Sequence, residues 1–125
     1  IFLLEEDMAV PGVKFYYDVV EKHHTGEAIS IDNMGIAQQG WLQTILALEA
    51  VKIALEKKGY PVTSADVKEA LDGLTNFDIG GMFPPISFTP TDHVAVKHGR
   101  VIQCQQGKWV ALTEWTKLPD MTPKG

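Results

Sequence analysis

The chain has 125 residues, 45% of them hydrophobic, which is enough for one domain with a real core. Its formal net charge is −5, and such a chain lacks the basic face of a nucleic-acid binder, so no nucleic-acid partner is expected. The single cysteine, Cys104, excludes an internal disulfide. The chain begins at Ile1 rather than Met, so a processed chain or a fragment is expected, and a missing signal peptide means little.

A short turn and an amphipathic helix are predicted at the start of the chain. Residues 1–4 are apolar and suit the end of a buried strand, while the acidic residues 5–7 predict a solvated turn. Pro11 suits the first turn of a helix, because the N–H that proline lacks has no partner there. This helix is expected to end near His24, and residues 25–31 are predicted to form an extended connector.

The longest predicted helix lies between Asp32 and Gly59. The side chain of Asp32 or Asn33 can cap its first turn, and Gly59 suits the left-handed residue that follows a helix. Glu49 and Lys52 lie near its middle, so it is not expected to span a membrane. Apolar side chains at helical spacing predict a core helix packed on most sides, namely Trp41, Leu42, Ile45, Leu46, Leu48 and Leu55.

A shorter helix and an ordered loop are predicted next. Thr63 with Asp66 three residues later forms a capping pattern for a helix over residues 65–74. Residues 76–92 contain two glycines and three prolines, which predict a loop with one short strand at residues 86–88.

The C-terminal part shows the two-residue period of a β-hairpin. Residues 100–105 and 108–115 are joined by Gln106-Gly107, which is a hairpin signal. The predicted register pairs Cys104 with Trp109 and Ile102 with Ala111 on one face, and places Val101, Val110 and Leu112 on the other.

The hairpin therefore carries apolar groups on both faces and needs cover on both sides, as in an α/β layer fold. The other predicted elements are too few to provide it, and a doubly wound sheet would need central parallel strands that are largely absent. The chain is accordingly expected to be part of a fold, ending in a frayed tail over residues 119–125.

Several segments follow one another in a characteristic order between Gln39 and Trp115. They are Gly40-Trp41 at the opening of the long helix, 54–59 (ALEKKG), 62–64 (VTS), 69–74 (EALDGL), 77–81 (FDIGG), 84–90 (PPISFTP) with Asp92-His93, and 105–110 (QQGKWV). This order resembles the C-terminal third of the periplasmic solute-binding proteins of the branched-chain amino acid (Leu/Ile/Val-binding) type, which serve ABC importers.

The resemblance implies an α/β fold, specifically the C-terminal fragment of a two-lobe periplasmic-binding-protein fold, with long helices and a β-hairpin but not a complete lobe. The chain of that family crosses three times between its lobes. The implied division is a second-lobe helix and crossover at 1–31, first-lobe helices at 32–77, a crossover loop at 78–98, a second-lobe β-hairpin at 99–118 and a tail at 119–125.

The implied function is that of an extracytoplasmic component of an ABC importer. It would bind a small carboxylate-bearing solute, either an amino acid or an aromatic acid, by closure of its lobes, and would deliver it to the transporter permease. The expected location is periplasmic or extracellular, with a membrane-anchored lipoprotein as one form. The alternative hypothesis is a ligand-sensing domain of a receptor with the same fold. A small hydrolase or metal enzyme is the third and weakest hypothesis. No cofactor and no enzymatic activity are expected.

The head of the long helix is the candidate ligand site, with Asn33, Gln38 and Trp41 as its residues. The N–H groups of a helix N-terminus attract an anion, and a Trp beside two amides combines an apolar wall with orienting polar groups. The competing interpretation is equally open: Trp41 belongs to the core and the amides cap the helix.

The histidines do not predict a metal or catalytic site. His23 and His24 are adjacent on a helix and diverge by about 100°, so they cannot easily share one ion. Asp92 beside His93, with His98 downstream, lacks any accompanying nucleophile, and Asp92 is expected to cap a turn.

The remaining candidates have ordinary structural explanations. Cys104 in a strand is expected to be a small buried hydrophobic residue rather than a nucleophile. Trp109 and Trp115 are expected to be ordinary sheet packing. Gly80-Gly81 lacks the lysine and following helix of a phosphate-binding loop.

A solitary copy of this chain is expected to expose more apolar surface than soluble monomers tolerate. We therefore expect either an intertwined homo-oligomer or a larger protein whose N-terminal portion is missing from this chain and covers these surfaces.

Overall fold

The computed structural model describes residues 4–24 and 36–119. A 3-10 helix, Glu5–Ala9, is followed by three α-helices in the described residues: α1, Pro11–His23; α2, Ile36–Lys58; and α3, Ser64–Asp72. Four short strands follow, β1, His98–Gly99; β2, Ile102–Gln105; β3, Lys108–Ala111; and β4, Thr116–Lys117. The predicted helices are confirmed to within about two residues at the ends that are described.

The local signals for the helix ends act as predicted. Pro11 occupies the first turn of α1. Gly59 follows α2 with a φ of 74°, a conformation that costs glycine little, and its N–H donates to the Leu55 carbonyl over 2.9 Å. Thr63 and Asp66 form the predicted capping box of α3, with reciprocal side-chain-to-backbone hydrogen bonds. The proposed caps Asp32 and Asn33 lie outside the described residues.

The expectation of a solvated turn at residues 5–7 is wrong. These residues belong to the 3-10 helix, in which the Leu4 N–H donates to Asp7 Oδ2 over 2.7 Å. The same carboxylate pairs with Arg100, and the Asp7 side chain is only 16% exposed. The physical reason is a partner 93 residues away, which no local pattern shows.

The strand expected at residues 86–88 is also absent from the described structure. Ile86 forms only a single antiparallel bridge with Phe77, and Phe88 instead donates its N–H to the Leu74 carbonyl over 2.9 Å. Pro84 and Pro85 precede this bridge and have no N–H to extend it, so the segment remains an irregular but well-packed loop.

The described strands form two separate two-stranded antiparallel sheets, β1 with β4 and β2 with β3. The β2–β3 register matches the prediction, with Ile102 opposite Ala111 and Cys104 opposite Trp109. Both residues of the connecting turn have positive φ, 52° at Gln106 and 82° at Gly107, as a type I′ hairpin turn requires.

The main core joins α1, α2 and the loop after α3. Its buried members are Val13, Tyr16, Leu42, Leu46, Leu74, Met82, Phe83 and Ile86. A smaller cluster of Ala50, Ala54 and Ala70 holds α2 against α3. Residues from 1–31 and from 32–77 thus share one core, and their assignment to two different lobes stays a prediction.

The start of α1 touches the loop at residues 78–81 through glycine backbones. The Gly12 N–H donates to the Gly80 carbonyl over 2.9 Å, and a Cβ on Gly12 would lie 2.1 Å from the Ile79 carbonyl oxygen. Only glycine permits this approach, so this contact fixes α1 on the loop that leads to the β-strands.

Candidate functional site

The head of α2 brings together two of the three residues predicted for the ligand site. Gln38 is 1% exposed and Trp41 is half-buried, whereas Asn33 lies outside the described residues. Both residues lie in the first two turns of α2, and Trp41 packs against the main core.

Trp41 stands against the aromatic side chains of α1. Its ring lies 5.6 Å from that of Phe15 and 5.5 Å from that of Tyr16, both in edge-to-face geometry. Edge-to-face aromatic pairs stabilise a fold by more than the burial of their apolar area alone. Trp41 therefore contributes to the packing of α1 on α2. Phe15 is nevertheless 57% exposed, so the aromatic group reaches the surface.

The indole Nε1 of Trp41 is buried, and no hydrogen-bond acceptor for it is found among the described residues. Tryptophan N–H groups usually find a partner when buried, because an unmet donor costs free energy. Trp41 thus combines a packing role with a buried N–H donor.

A cavity of about 220 Å³ lies between the core and the β-strands. Its inner wall comes from the buried Phe83 and Ile86, and Ile102 and Trp115 close it on the strand side. Its remaining wall is the connecting segment 95–100. Sequence reasoning did not identify this cavity, because its walls come from separate parts of the chain.

Arg100 is one of the ionisable residues that line this cavity. Its two terminal nitrogens contact the two carboxylate oxygens of Asp7, and its guanidinium carbon lies 4.9 Å from the centre of the Trp115 ring. A bidentate pair stacked on an aromatic ring suits Arg and not Lys. Trp115 was expected to be ordinary sheet packing; it packs against the main core from a position just before β4, and it also contacts this cation.

The charge of Arg100 is balanced inside the protein, since its side chain is 10% exposed and faces Asp7. The arrangement joins the 3-10 helix near the N-terminus to the segment between β1 and β2. No signal in either segment alone marks the pair, although the acidic run at residues 5–7 was visible in the sequence.

His93 and Asp92 make polar contacts with neighbouring side chains or backbone groups. His93 Nε2 lies 3.1 Å from Asp72 Oδ1. The pKa of Asp72 is held below its ordinary value, mainly by the hydrogen bond from the Lys68 ammonium and to a smaller extent by His93. Asp92 accepts the Val94 N–H over 3.1 Å, which confirms its turn-capping role. Lys97 is the main cause of the lowered pKa of Asp92.

Among residues 4–24 and 36–119, no group of three or more His, Cys, Asp or Glu side chains is placed to hold a metal ion. His23 and His24 are exposed at the end of α1. Cys104 is exposed on β2, so the expectation of a buried cysteine is wrong. Trp109, which lies opposite Cys104 on the same face of the hairpin, is 50% exposed as well.

None of the described helices is long and apolar enough to cross a membrane.

No protein-family model matches the chain, and no curated protein matches it. Among solved structures, the chain is similar to a branched chain amino acid ABC transporter from Thermus thermophilus with bound valine, with a TM-score of 0.76 and 22% identity. The similarity covers 93% of this chain but 31% of that one, so the chain spans less than a third of that protein.

At this level of identity the similarity shows the fold. The described structure, with its helices and small sheets, matches a fragment of a periplasmic-binding-protein fold, and the predicted fold class is confirmed.

Proposed function

We propose that this chain forms part of a solute-binding protein of an ABC importer, and that the protein binds a small solute that carries a carboxylate group. The observation that carries the proposal is the backbone match to the valine-bound Thermus protein over 93% of the chain. The ordered series of segments from Gln39 to Trp115, which resembles the same family, supports it independently of the coordinates.

The solute would be an amino acid or an aromatic acid held at the head of α2. The buried Nε1 of Trp41 is a donor for a carboxylate oxygen, and the edge-to-face group of Trp41, Phe15 and Tyr16 offers an apolar wall. Gln38 at the same helix end would orient the solute, and Asn33 is proposed as the third residue. Small-molecule sites commonly combine an apolar wall with a few polar groups.

The proposed mechanism is closure of two lobes on the solute, without catalysis. A solute that touches both lobes stabilises the closed state by its differential affinity for that state. The division into second-lobe residues 1–31 and 99–118, first-lobe residues 32–77 and crossover 78–98 belongs to this proposal. The permease of the importer would recognise the closed form, in the periplasm or at the outer surface of a cell.

The surfaces left exposed by this chain require cover in such a protein. Exposed large apolar side chains lie on α2 (Leu48, Val51 and Leu55) and around the strands (Val94, Val101, Trp109, Leu112 and Leu118). We propose that either an N-terminal portion of a longer protein or a second copy of the chain covers them, with an interface above about 2,000 Å² in the second case.

Calorimetric titration of the longest native form of the protein tests the proposal. The solutes would be valine, leucine, phenylalanine and benzoate, and each would be paired with its methyl ester, which keeps the apolar body and removes the carboxylate. We expect saturable binding of at least one acid and binding of its ester at least about tenfold weaker, a difference of ~1.4 kcal/mol. Equal binding of acid and ester, or no binding of any acid, would contradict the proposal.

The Trp41 site has its own test in the same titration. Trp41→Phe keeps most of the packing against Phe15 and Tyr16 but removes the N–H donor, so solute affinity should fall about tenfold while the melting temperature changes little. Trp41→Ala should in addition destabilise the fold by about 3 kcal/mol. If Trp41→Phe binds the solute as the native protein does, Trp41 serves packing alone.

A further inference from the structure

Four aromatic rings are in edge-to-face contact where α1 meets the head of α2. The ring centres of Tyr17 and Tyr16 are 5.2 Å apart, and those of Tyr16 and Trp41 are 5.5 Å apart. Phe15 lies on the other side of this row, 5.6 Å from Trp41. Tyr16 is 2% exposed, whereas Phe15 is 57% exposed. The row therefore runs from the core to a ring that presents most of its surface to solvent.

An exposed aromatic ring distinguishes solutes in a way that an aliphatic side chain does not. The face of an aromatic ring is electrostatically negative and its edge is positive, so two rings attract each other beyond the burial of their apolar area. A saturated ring of the same size gains the burial but not this attraction. Phe15 accordingly has the chemistry to separate an aromatic solute from an aliphatic one of equal bulk.

The charges beside Phe15 leave room for an anionic solute. Asp18 lies one helical turn from Phe15 on α1, and the Lys14 ammonium is 2.6 Å from its carboxylate. Within residues 14–18 the acidic group is thus matched by a cation. A solute carboxylate that approaches this turn of α1 meets a balanced pair instead of an uncompensated negative charge.

We propose that the solute is an aromatic acid and that Phe15 is the residue that selects it. This inference rests on the proposed function, because it takes the solute carboxylate to be held by the Trp41 Nε1 donor. The solute ring would lie against the exposed part of Phe15 and extend the row of rings by one member. An aliphatic amino acid would gain burial at the same place without the ring–ring attraction.

The spacing of the two residues suits a short aromatic acid. The Phe15 and Trp41 rings are neighbours, with their centres 5.6 Å apart, so the ring contact and the donor are close together. In an arylacetate the ring and the carboxylate are separated by a single methylene group. Such a molecule brings both of its groups to adjacent side chains at once.

Calorimetric titration of the longest native form with phenylacetate and cyclohexylacetate tests the selection. The two acids share the carboxylate and the methylene and differ in whether the ring is aromatic. We expect phenylacetate to bind at least about threefold tighter. Phe15→Leu keeps an apolar side chain and removes the ring, so it should bring the ratio of the two affinities to about one.

Tyr60→Leu is the matched control, because Tyr60 is an exposed aromatic residue beyond the far end of α2. It should keep the native ratio, and circular dichroism verifies that both variants are folded. Equal affinities of the native protein for the two acids, or a native ratio that persists in Phe15→Leu, would overturn the selection and leave the proposed function in place. Failure of every acid to bind would contradict the proposed function itself and the selection with it.

Discussion

The helical part of the molecule and the β-hairpin differ in what covers their apolar side chains. In the helical part, α1, α2 and the loop after α3 bury side chains such as Tyr16 and Phe83, which are 2% and 5% exposed. In the hairpin region, Val101 and Leu112 are 57% and 52% exposed although the hairpin has its predicted register. Local signals thus suffice to form a hairpin, but burial requires partners that the described residues do not supply.

Among the described residues, Asp7 of the 3-10 helix meets Arg100 near the strands, and the partly buried Trp115 packs on the core. Gly12 meets the loop at residues 78–81, which precedes the strands. The Asp7–Arg100 pair links the start of β2 to the 3-10 helix, and the Gly12 contact links α1 to the loop before the strands. They are therefore where the contrast between the regions can be tested most directly.

The largest effect is expected from Gly12→Ala. The new Cβ would lie 2.1 Å from the Ile79 carbonyl oxygen, so α1 or the loop must shift, and we expect a loss of stability of about 3 kcal/mol in chemical denaturation. Gly40→Ala is the control, since no atom lies within 4 Å of its added Cβ and it is within α2. It should gain up to about 1 kcal/mol. A neutral Gly12→Ala would mean that this close contact is not formed.

Asp7→Asn should have the next largest effect on stability. It leaves the nearly buried Arg100 without its counter-charge, and we expect a loss of about 2 kcal/mol. Asp18→Asn is the control, because its pair with Lys14 is exposed on α1, and it should cost less than about 0.5 kcal/mol. Equal losses in thermal unfolding would show that the Asp7 pair is no stronger than a surface pair.

Thr63→Ala is expected to cost about 1 kcal/mol at neutral pH, because the N-cap of α3 is lost. The Thr63 hydroxyl, 2.6 Å from Asp66 Oδ2, is the largest cause of the lowered pKa of Asp66. A lowered folded-state pKa gives stability that is full above the unfolded pKa, about 4, and is lost as pH falls through the folded value.

Thr63→Ala should therefore raise the pKa of Asp66 in an NMR titration. The difference in stability between the variant and the native protein should become smaller in acid. Thr44→Ala removes an exposed hydroxyl bond to the Gly40 carbonyl within α2 and should leave the pKa of Asp66 unchanged. If the loss of stability in Thr63→Ala grows as the pH falls, the Thr63 hydroxyl is not what lowers the pKa of Asp66.

The smallest effect is expected in the hairpin turn. Gln106 has a φ of 52°, which asparagine adopts more readily than glutamine, so Gln106→Asn should stabilise the hairpin by about 0.3 kcal/mol. Gln103→Asn, at a strand position, should instead destabilise it slightly. Amide hydrogen exchange on β2 and β3 would detect both changes, and protection that moves in the same direction for both would contradict the turn assignment.

The sequence by itself determined the local elements of this protein. Helical spacing and capping residues predicted α1, α2 and α3, and Gln106-Gly107 with alternating side chains predicted the register of β2 and β3. These signals act over a few residues, where backbone hydrogen bonding and side-chain periodicity are the deciding terms. The order of segments also indicated the fold class.

The tertiary structure alone decided what these elements contact. It paired Asp7 with Arg100 and made the acidic run part of a buried contact, and it placed Trp41 between aromatic side chains of α1. It also buried Ile86 in the core through one bridge instead of a strand, and left Cys104 exposed. Such contacts join residues far apart in sequence, and burial depends on the space between packed elements, which no local pattern encodes.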